Sequence, residues 1–261
     1  MIATRQSGAR KENTKLKEQR RRPRQTNSQW LAAAVKQGDG AGRVLLLGGN
    51  SLTDFRIRIA QSHARQDMLP SFWSHAAILK GKAGEGDWDL YEVSLDPPGG
   101  FGIVPKNNGV QEGKLSRYDD SKRFPNIAYI HLSVKPEALR ENVTSFADAV
   151  EKAVDTFRRQ RSVIDASSCL IEWLAFVWGT GGKANPLLKE VGVPSAVFVE
   201  SVFAIAGLEL TPGIASQSSC PEAIWQSAKW WHAFYESGAA ISDRAPEGKY
   251  CIDQPAAAVI E

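Results

Sequence analysis

The chain is sparing with the residues that most often carry metal or redox chemistry: three cysteines, four histidines and two methionines in 261 residues. Cys169, Cys220 and Cys251 are odd in number and lack the paired spacing of a zinc site. A disulfide framework is therefore not expected, and each thiol reads as buried or incidental. His63, His75, His131 and His232 stand singly, so neither a metal centre nor any other cofactor is expected. Long apolar runs are missing too. Cys169 to Val177 falls far short of the roughly 20 residues that cross a bilayer, and Glu172 interrupts it. The N-terminus has charge without the apolar core of a secretory signal. The expectation is synthesis in a cytoplasm without Sec export, followed by action there or delivery to a periplasm or a target cell. What remains, 43% hydrophobic and 23% charged, suffices for the core of one globular domain.

Charge is unevenly placed. Residues 1 to 29 hold nine Lys or Arg and two acids, leaving 23 basic against 27 acidic residues in the rest, so a net +3 divides into a tail of +7 and a body of −4. The run Arg20-Arg21-Arg22-Pro23-Arg24, with almost no large apolar neighbour, reads as part of a disordered basic arm over 1–29, ahead of a domain spanning 30–261. Such an arm can contact an anionic lipid surface, nucleic acid or a partner protein. The acidic body has no recognition motif, so specific nucleic-acid binding is not expected.

The body reads as α+β: short strands first, helices after. After a helical lead-in at Trp30 to Val35, strands are expected at Arg43 to Leu47, Ala76 to Leu79, Asp89 to Ser94, Gly102 to Pro105 and Ile127 to Val134, with a Ser51-capped helix from Phe55 to Ser62. Their Gly, Pro, Asn and Asp turns suit a small antiparallel sheet packed against helices. From Pro136 the period changes. Leu139, Val143, Phe146, Val150, Val154 and Phe157 recur every three or four residues, the clearest helical pattern in the chain. Further helices are expected over Cys169 to Trp178 and over Ser195 to Ala206, the latter closed by Gly207.

Three local features bear on chemistry. Phe72-Trp73-Ser74-His75-Ala76-Ala77-Ile78-Leu79 sets a histidine at the start of an apolar strand, fixed in position but close to solvent, as a general base requires. Leu90-Tyr91-Glu92-Val93-Ser94 alternates so that Glu92 faces away from Tyr91 and Val93, where an acid could orient an imidazole. Val193-Pro194-Ser195-Ala196-Val197-Phe198-Val199 opens a helix at Ser195, where the positive helix end favours an ionised nucleophile; serine is also a preferred cap there. Each has a plain alternative as a strand-edge histidine, a solvated acid and a cap. Cys169, opening its own helix, is a rival nucleophile and otherwise a structural thiol. Trp225, Trp230, Trp231 and His232 read as core or groove packing.

Taken together, Arg43 to Leu47 with Ser51 to Ile59, Ser74-His75-Ala76-Ala77-Ile78, Tyr91-Glu92-Val93 and Phe101-Gly102-Ile103-Val104 resemble the opening of circularly permuted papain-like proteins of the NlpC type. Ser195-Ala196-Val197-Phe198-Val199 with Ala206-Gly207 resembles that family's nucleophile helix, which comes last in the chain, and Cys220-Pro221-Glu222 resembles its next helix start. The resemblance covers residues 43 to 231. It implies a permuted papain-like fold and a cysteine-type hydrolase with His75 as base, Glu92 orienting it and position 195 as nucleophile. The implied reaction is amide cleavage in a peptidoglycan peptide by an endopeptidase or amidase, as in an antibacterial effector with a secretion adaptor or immunity protein as partner. The other implied readings are acyl hydrolysis or transfer on lipids or proteins at a membrane, and a non-catalytic binding module. The family has cysteine where this chain has Ser195. An introduced Cys→Ser change, a serine enzyme and a pseudoenzyme each account for that, and a register shifted by one would place the lost cysteine at Ala196.

Overall fold

A computed structural model describes residues 16–35, 41–83, 87–96, 107–132, 144–159, 165–236 and 246–254. Seven strands form one sheet: β1 (Leu16–Glu18), β2 (Arg43–Gly48), β3 (His75–Ala83), β4 (Asp87–Glu92), β5 (Gln111–Lys114), β6 (Asn126–His131) and β7 (Glu247–Ile252). Their spatial order is β1-β7-β6-β2-β3-β4-β5. Every pair is antiparallel except β1 with β7, so the small antiparallel sheet expected from sequence is corrected to a seven-stranded mixed one. Among the described residues six α-helices accompany it: α1 (Asn27–Ala34), α2 (Leu52–Ala60), α3 (Phe146–Arg159), α4 (Ala166–Val177), α5 (Pro194–Ile205) and α6 (Pro221–Glu236). The α+β class is as expected. The strand expected at Gly102 to Pro105 and the helical start at Pro136 lie outside the described residues. Among the described residues no helix is long and apolar enough to cross a membrane.

The apolar run of β2 follows from a sheet covered on both faces. Val44 and Leu46 join a large core with the buried sides of α3 to α6, while Leu45 and Leu47 join a second cluster with Trp30 and Leu31 of α1. The same two-residue alternation divides β3 and β4. Ala76, Ile78, Tyr91 and Val93 face the large core, and Ala77, Leu79, Trp88 and Leu90 face the other. His75 and Glu92 have the parity of this second set. Helix α5 is apolar nearly all round and accordingly buried between β3, α3 and α4.

One boundary differs from the sequence expectation. The domain was expected to begin near Trp30, but residues 16–29 are folded into it. β1 lies parallel to β7, with Gln19 N–H donating to Tyr250 O at 2.8 Å, and Thr26 caps α1 with a complete capping box. Arg21, within the basic run, is half-buried with its side chain only 7% exposed; it donates to Asn27 Oδ1 (2.5 Å) and Pro125 O (2.9 Å) and pairs with Asp253 at 2.8 Å. Its partners stand up to 232 positions away, so no local composition rule could anticipate them.

Arg21→Ala should therefore cost about 1–3 kcal/mol in denaturant unfolding by stranding buried acceptors. Arg20→Ala, whose side chain is 90% exposed, should stay within about 0.5 kcal/mol. Equal, negligible effects would return residues 16–29 to the arm.

Candidate active site

Two turns support the start of β3. Gly48-Gly49-Asn50-Ser51 leads into α2, where Ser51 Oγ accepts from Asp54 N–H and donates to Asp54 Oδ2 at 2.5 Å. Asp54 Oδ1 accepts from Ser74 Oγ (2.7 Å), which accepts in turn from Gly49 N–H (3.1 Å). A Cβ on Gly49 would stand 2.2 Å from Asp54 Oδ2, so only glycine leaves room for that carboxylate. Fully buried Arg58 donates to Ser71 O (2.6 Å) and Gly49 O (3.3 Å), tying both turns together. The residue before His75 is thus held on two sides.

His75 Nε2–H donates to Glu92 Oε2 at 2.7 Å. Tyr118 O–H donates to the same oxygen at 2.6 Å, and the Tyr118 ring stacks on the His75 ring with centroids 5.5 Å apart and planes 24° off parallel. Because an ionised Glu92 can only accept, the proton of the neutral imidazole belongs on Nε2, and the lone pair falls on Nδ1. Burial pushes the Glu92 carboxyl up, but the hydrogen bonds from His75 and Tyr118 and the charge of Arg117, 3.8 Å from Oε1, outweigh it and hold the group below its ordinary value. Burial and the neighbouring Glu92 raise Tyr118 well above the ordinary tyrosine range, which keeps it a donor.

Ser195 enters the same site from α5. It is the second residue of the helix, after Pro194, and Val193 is the N-cap. Its Oγ accepts from the Ala76 N–H at 3.2 Å, so Ser195 is tied to the strand residue that follows His75. Pro194 has no N–H, and the amides of Ala196 and Val197 both donate to Val193 O at 2.9 Å. The Ser195 N–H is the first-turn amide that these bonds leave over. His75 and Ser195 both line a cleft of about 360 Å³. Its walls include Asp54, Arg117, Tyr118 and Arg123 on the polar side and Leu174, Val177 and Trp178 on the apolar side.

The structure therefore brings His75, Glu92 and Ser195 to one place. The rival Cys169 sits outside that cleft. Its Sγ–H donates to Gly192 O at 3.0 Å, and burial pushes the thiol up to about 12, which suits a structural role. Trp225 is buried against Trp73 and Tyr250, whereas Trp230 and Phe234 stack on the surface of α6. Among the described residues no group of three or more His, Cys, Asp or Glu side chains could hold a metal ion. Tyr118, Arg117 and Gly113 escaped the sequence reading. Gly113 pairs with Leu90, and a Cβ there would stand 2.3 Å from Glu92 Oε1. The lone glycine of the short segment Gln111-Glu112-Gly113-Lys114 was the one signal available.

No family model, curated protein or solved structure matches the chain. What the site can do chemically is read from its own geometry.

Gly113→Ala should displace Glu92 and lower stability by about 1–3 kcal/mol, because the carboxylate that must move is held by His75 and Tyr118. A second expectation follows from the sign of the Glu92 shift. A carboxyl lowered by folding contributes stability that is full above its unfolded value, about 4.3, declines below that, and is lost as pH falls through the still lower folded value. The stability advantage of the native chain over Glu92→Gln should be constant near neutrality and shrink below about pH 4. An advantage that grows on acidification would contradict the assignment of an ionised Glu92.

Proposed function

We propose that this chain is a permuted papain-like acyl hydrolase of the NlpC type, with His75 as base, Glu92 as orienting acid and position 195 as the seat of the nucleophile. The observation that carries the reading is the buried hydrogen-bonded series Tyr118–Glu92–His75, which ends beside a helix-start residue in the same cleft. In the reaction, the side chain at 195 gives its proton to His75 Nδ1 and its sulfur or oxygen attacks an acyl carbon. The Ser195 N–H supports the developing oxyanion. The imidazolium, steadied by ionised Glu92, then protonates the departing amine. Water, deprotonated by the same nitrogen, releases the acid and restores the side chain.

The substrate proposed is an amide in a peptidoglycan peptide, cleaved by an antibacterial effector with an adaptor or immunity protein as partner. A second reading, acyl hydrolysis or transfer on a lipid, draws support from the apolar wall of Leu174, Val177 and the exposed Trp178. A cysteine at 195 suits either chemistry better than the serine present, because serine needs far stronger activation.

Ser195→Cys converts the proposal into a direct measurement. The introduced thiol should be alkylated by iodoacetamide near neutral pH, while Cys169, Cys220 and Cys251, raised to about 12, 12 and 11, respectively, stay silent. Adding His75→Ala should slow that alkylation at least roughly tenfold. Labelling that ignores His75 would sink the triad and leave the binding-module reading.

A further inference from the structure

Asp54, Asp96 and Glu92, in and beside the cleft, each have an answer. Asp54 takes the hydroxyls of Ser51 and Ser74 and faces the buried charge of Arg58. Asp96 Oδ2 lies 3.3 Å from Arg117 Nη2, and Glu92 has His75, Tyr118 and, at 3.8 Å, Arg117. Arg123 has no such match. It lines the cleft, is exposed, and among the described residues has no carboxylate within ion-pair distance; its guanidinium sits over the Phe124 ring, 5.3 Å from the centroid. The segment that carries it is fixed rather than loose. Asn50 N–H donates to Arg123 O at 3.0 Å and Asn50 Nδ2 to Lys122 O at 2.6 Å, joining it to the turn that supports β3.

We infer that Arg123 is a specificity residue that holds a carboxylate on the substrate close to the bond being cut; this rests on the active-site reading above. An aromatic ring beneath a guanidinium limits its rotation and leaves its planar fork of N–H donors directed outward, a fit for the two oxygens of a carboxylate. One unmatched cation balances one negative charge. A phosphate monoester, carrying more charge than a carboxylate, would meet Asp54 and Asp96 on the same walls, where the described residues offer no second free cation to offset it. A lipid phosphodiester carries the same single charge as a carboxylate; the planar match of guanidinium to carboxylate favours an acidic peptide, and the lipid is the alternative that the test separates. The cleft's apolar wall at Leu174, Val177 and Trp178 is left for the aliphatic part of the same substrate.

The two alkylating reagents iodoacetate and iodoacetamide differ in one carboxylate and so read this selectivity without a known substrate. In the Ser195→Cys protein the ratio of iodoacetate to iodoacetamide rates should exceed that of free cysteine. Arg123→Gln should lower the ratio roughly fivefold, as expected for one partly screened charge within the cleft. Arg159→Gln, an exposed arginine on α3 outside the cleft, should leave it unaltered. Slower iodoacetamide labelling in the presence of an acetylated alanyl-glutamate dipeptide, and not with phosphatidylglycerol vesicles, would support the carboxylate. The reverse pattern would overturn it in favour of a lipid anion. If labelling depends on His75 but the ratio ignores Arg123, the specificity role alone is overturned. If labelling does not depend on His75, the active-site reading falls first.

Discussion

The rest of the site depends on one buried carboxylate. Glu92 is fully removed from solvent, a position in which an isolated negative charge is among the costliest groups a protein can carry. It is tolerated because two donors converge on one oxygen while a guanidinium approaches the other. Those donors come from separate parts of the fold: His75 from the start of β3, Tyr118 from the 3₁₀ turn after β5. The carboxylate thus binds two segments of chain and, by accepting from Nε2, leaves the lone pair of the imidazole on Nδ1. Among the described residues Oε1 itself has no hydrogen-bond partner, so the approach of Arg117 and the absence of a side chain at Gly113 are what make its burial possible.

The sheet translates this local requirement into a placement. Strand alternation sets His75 and Glu92 on the α1 side, whereas α5 lies on the opposite, larger core. A side chain on α5 could meet His75 only where β3 begins, at the margin of the sheet. Ser195 does so through the Ala76 N–H, the strand amide next in line after His75. The site is therefore an edge phenomenon. The His75 imidazole is held by the sheet, Ser195 by a helix terminus, and solvent reaches both through the cleft between α2 and the end of α4.

Much of this was legible in the chain, and the parts that were not share a cause. The apolar run of β2, the period of Val150, Val154 and Phe157, the Ser51 cap, the helix start next to Pro194 and the turn at Gly207 all express local rules, and local rules hold where a segment's partners impose only polarity. The strands β1, β5 and β7 were missed because they carry charged or small residues, Leu-Lys-Glu in β1 and Gln-Glu-Gly-Lys in β5. Two of them lie at the sheet's margins, where one flank stays wet and alternation carries little signal. Tyr118 was missed for a different reason. A tyrosine in a polar segment has no pattern of its own, and its importance comes from meeting His75 and Glu92, which chain order does not announce. His75, Glu92 and Ser195 each have a plain alternative at a strand start, a strand face and a helix start; only the resemblance in order and spacing to NlpC-type proteins groups them in the sequence.

Serine at 195 is best understood against the surrounding field. The first turn of α5 offers an amide proton, the Ala76 N–H points at the side-chain oxygen, and Arg123 adds positive charge to the cleft. All of these favour an anion. A hydroxyl uses them only as a neutral acceptor, since the cost of removing its proton exceeds what an amide and a helix end return. A thiol ionises far more readily, and every one of the same groups would then stabilise the charged form. The electrostatics around position 195 thus suit a thiolate better than the residue that occupies it. That mismatch supports reading the site as built for a cysteine mechanism and held, in this chain, one atom away from it.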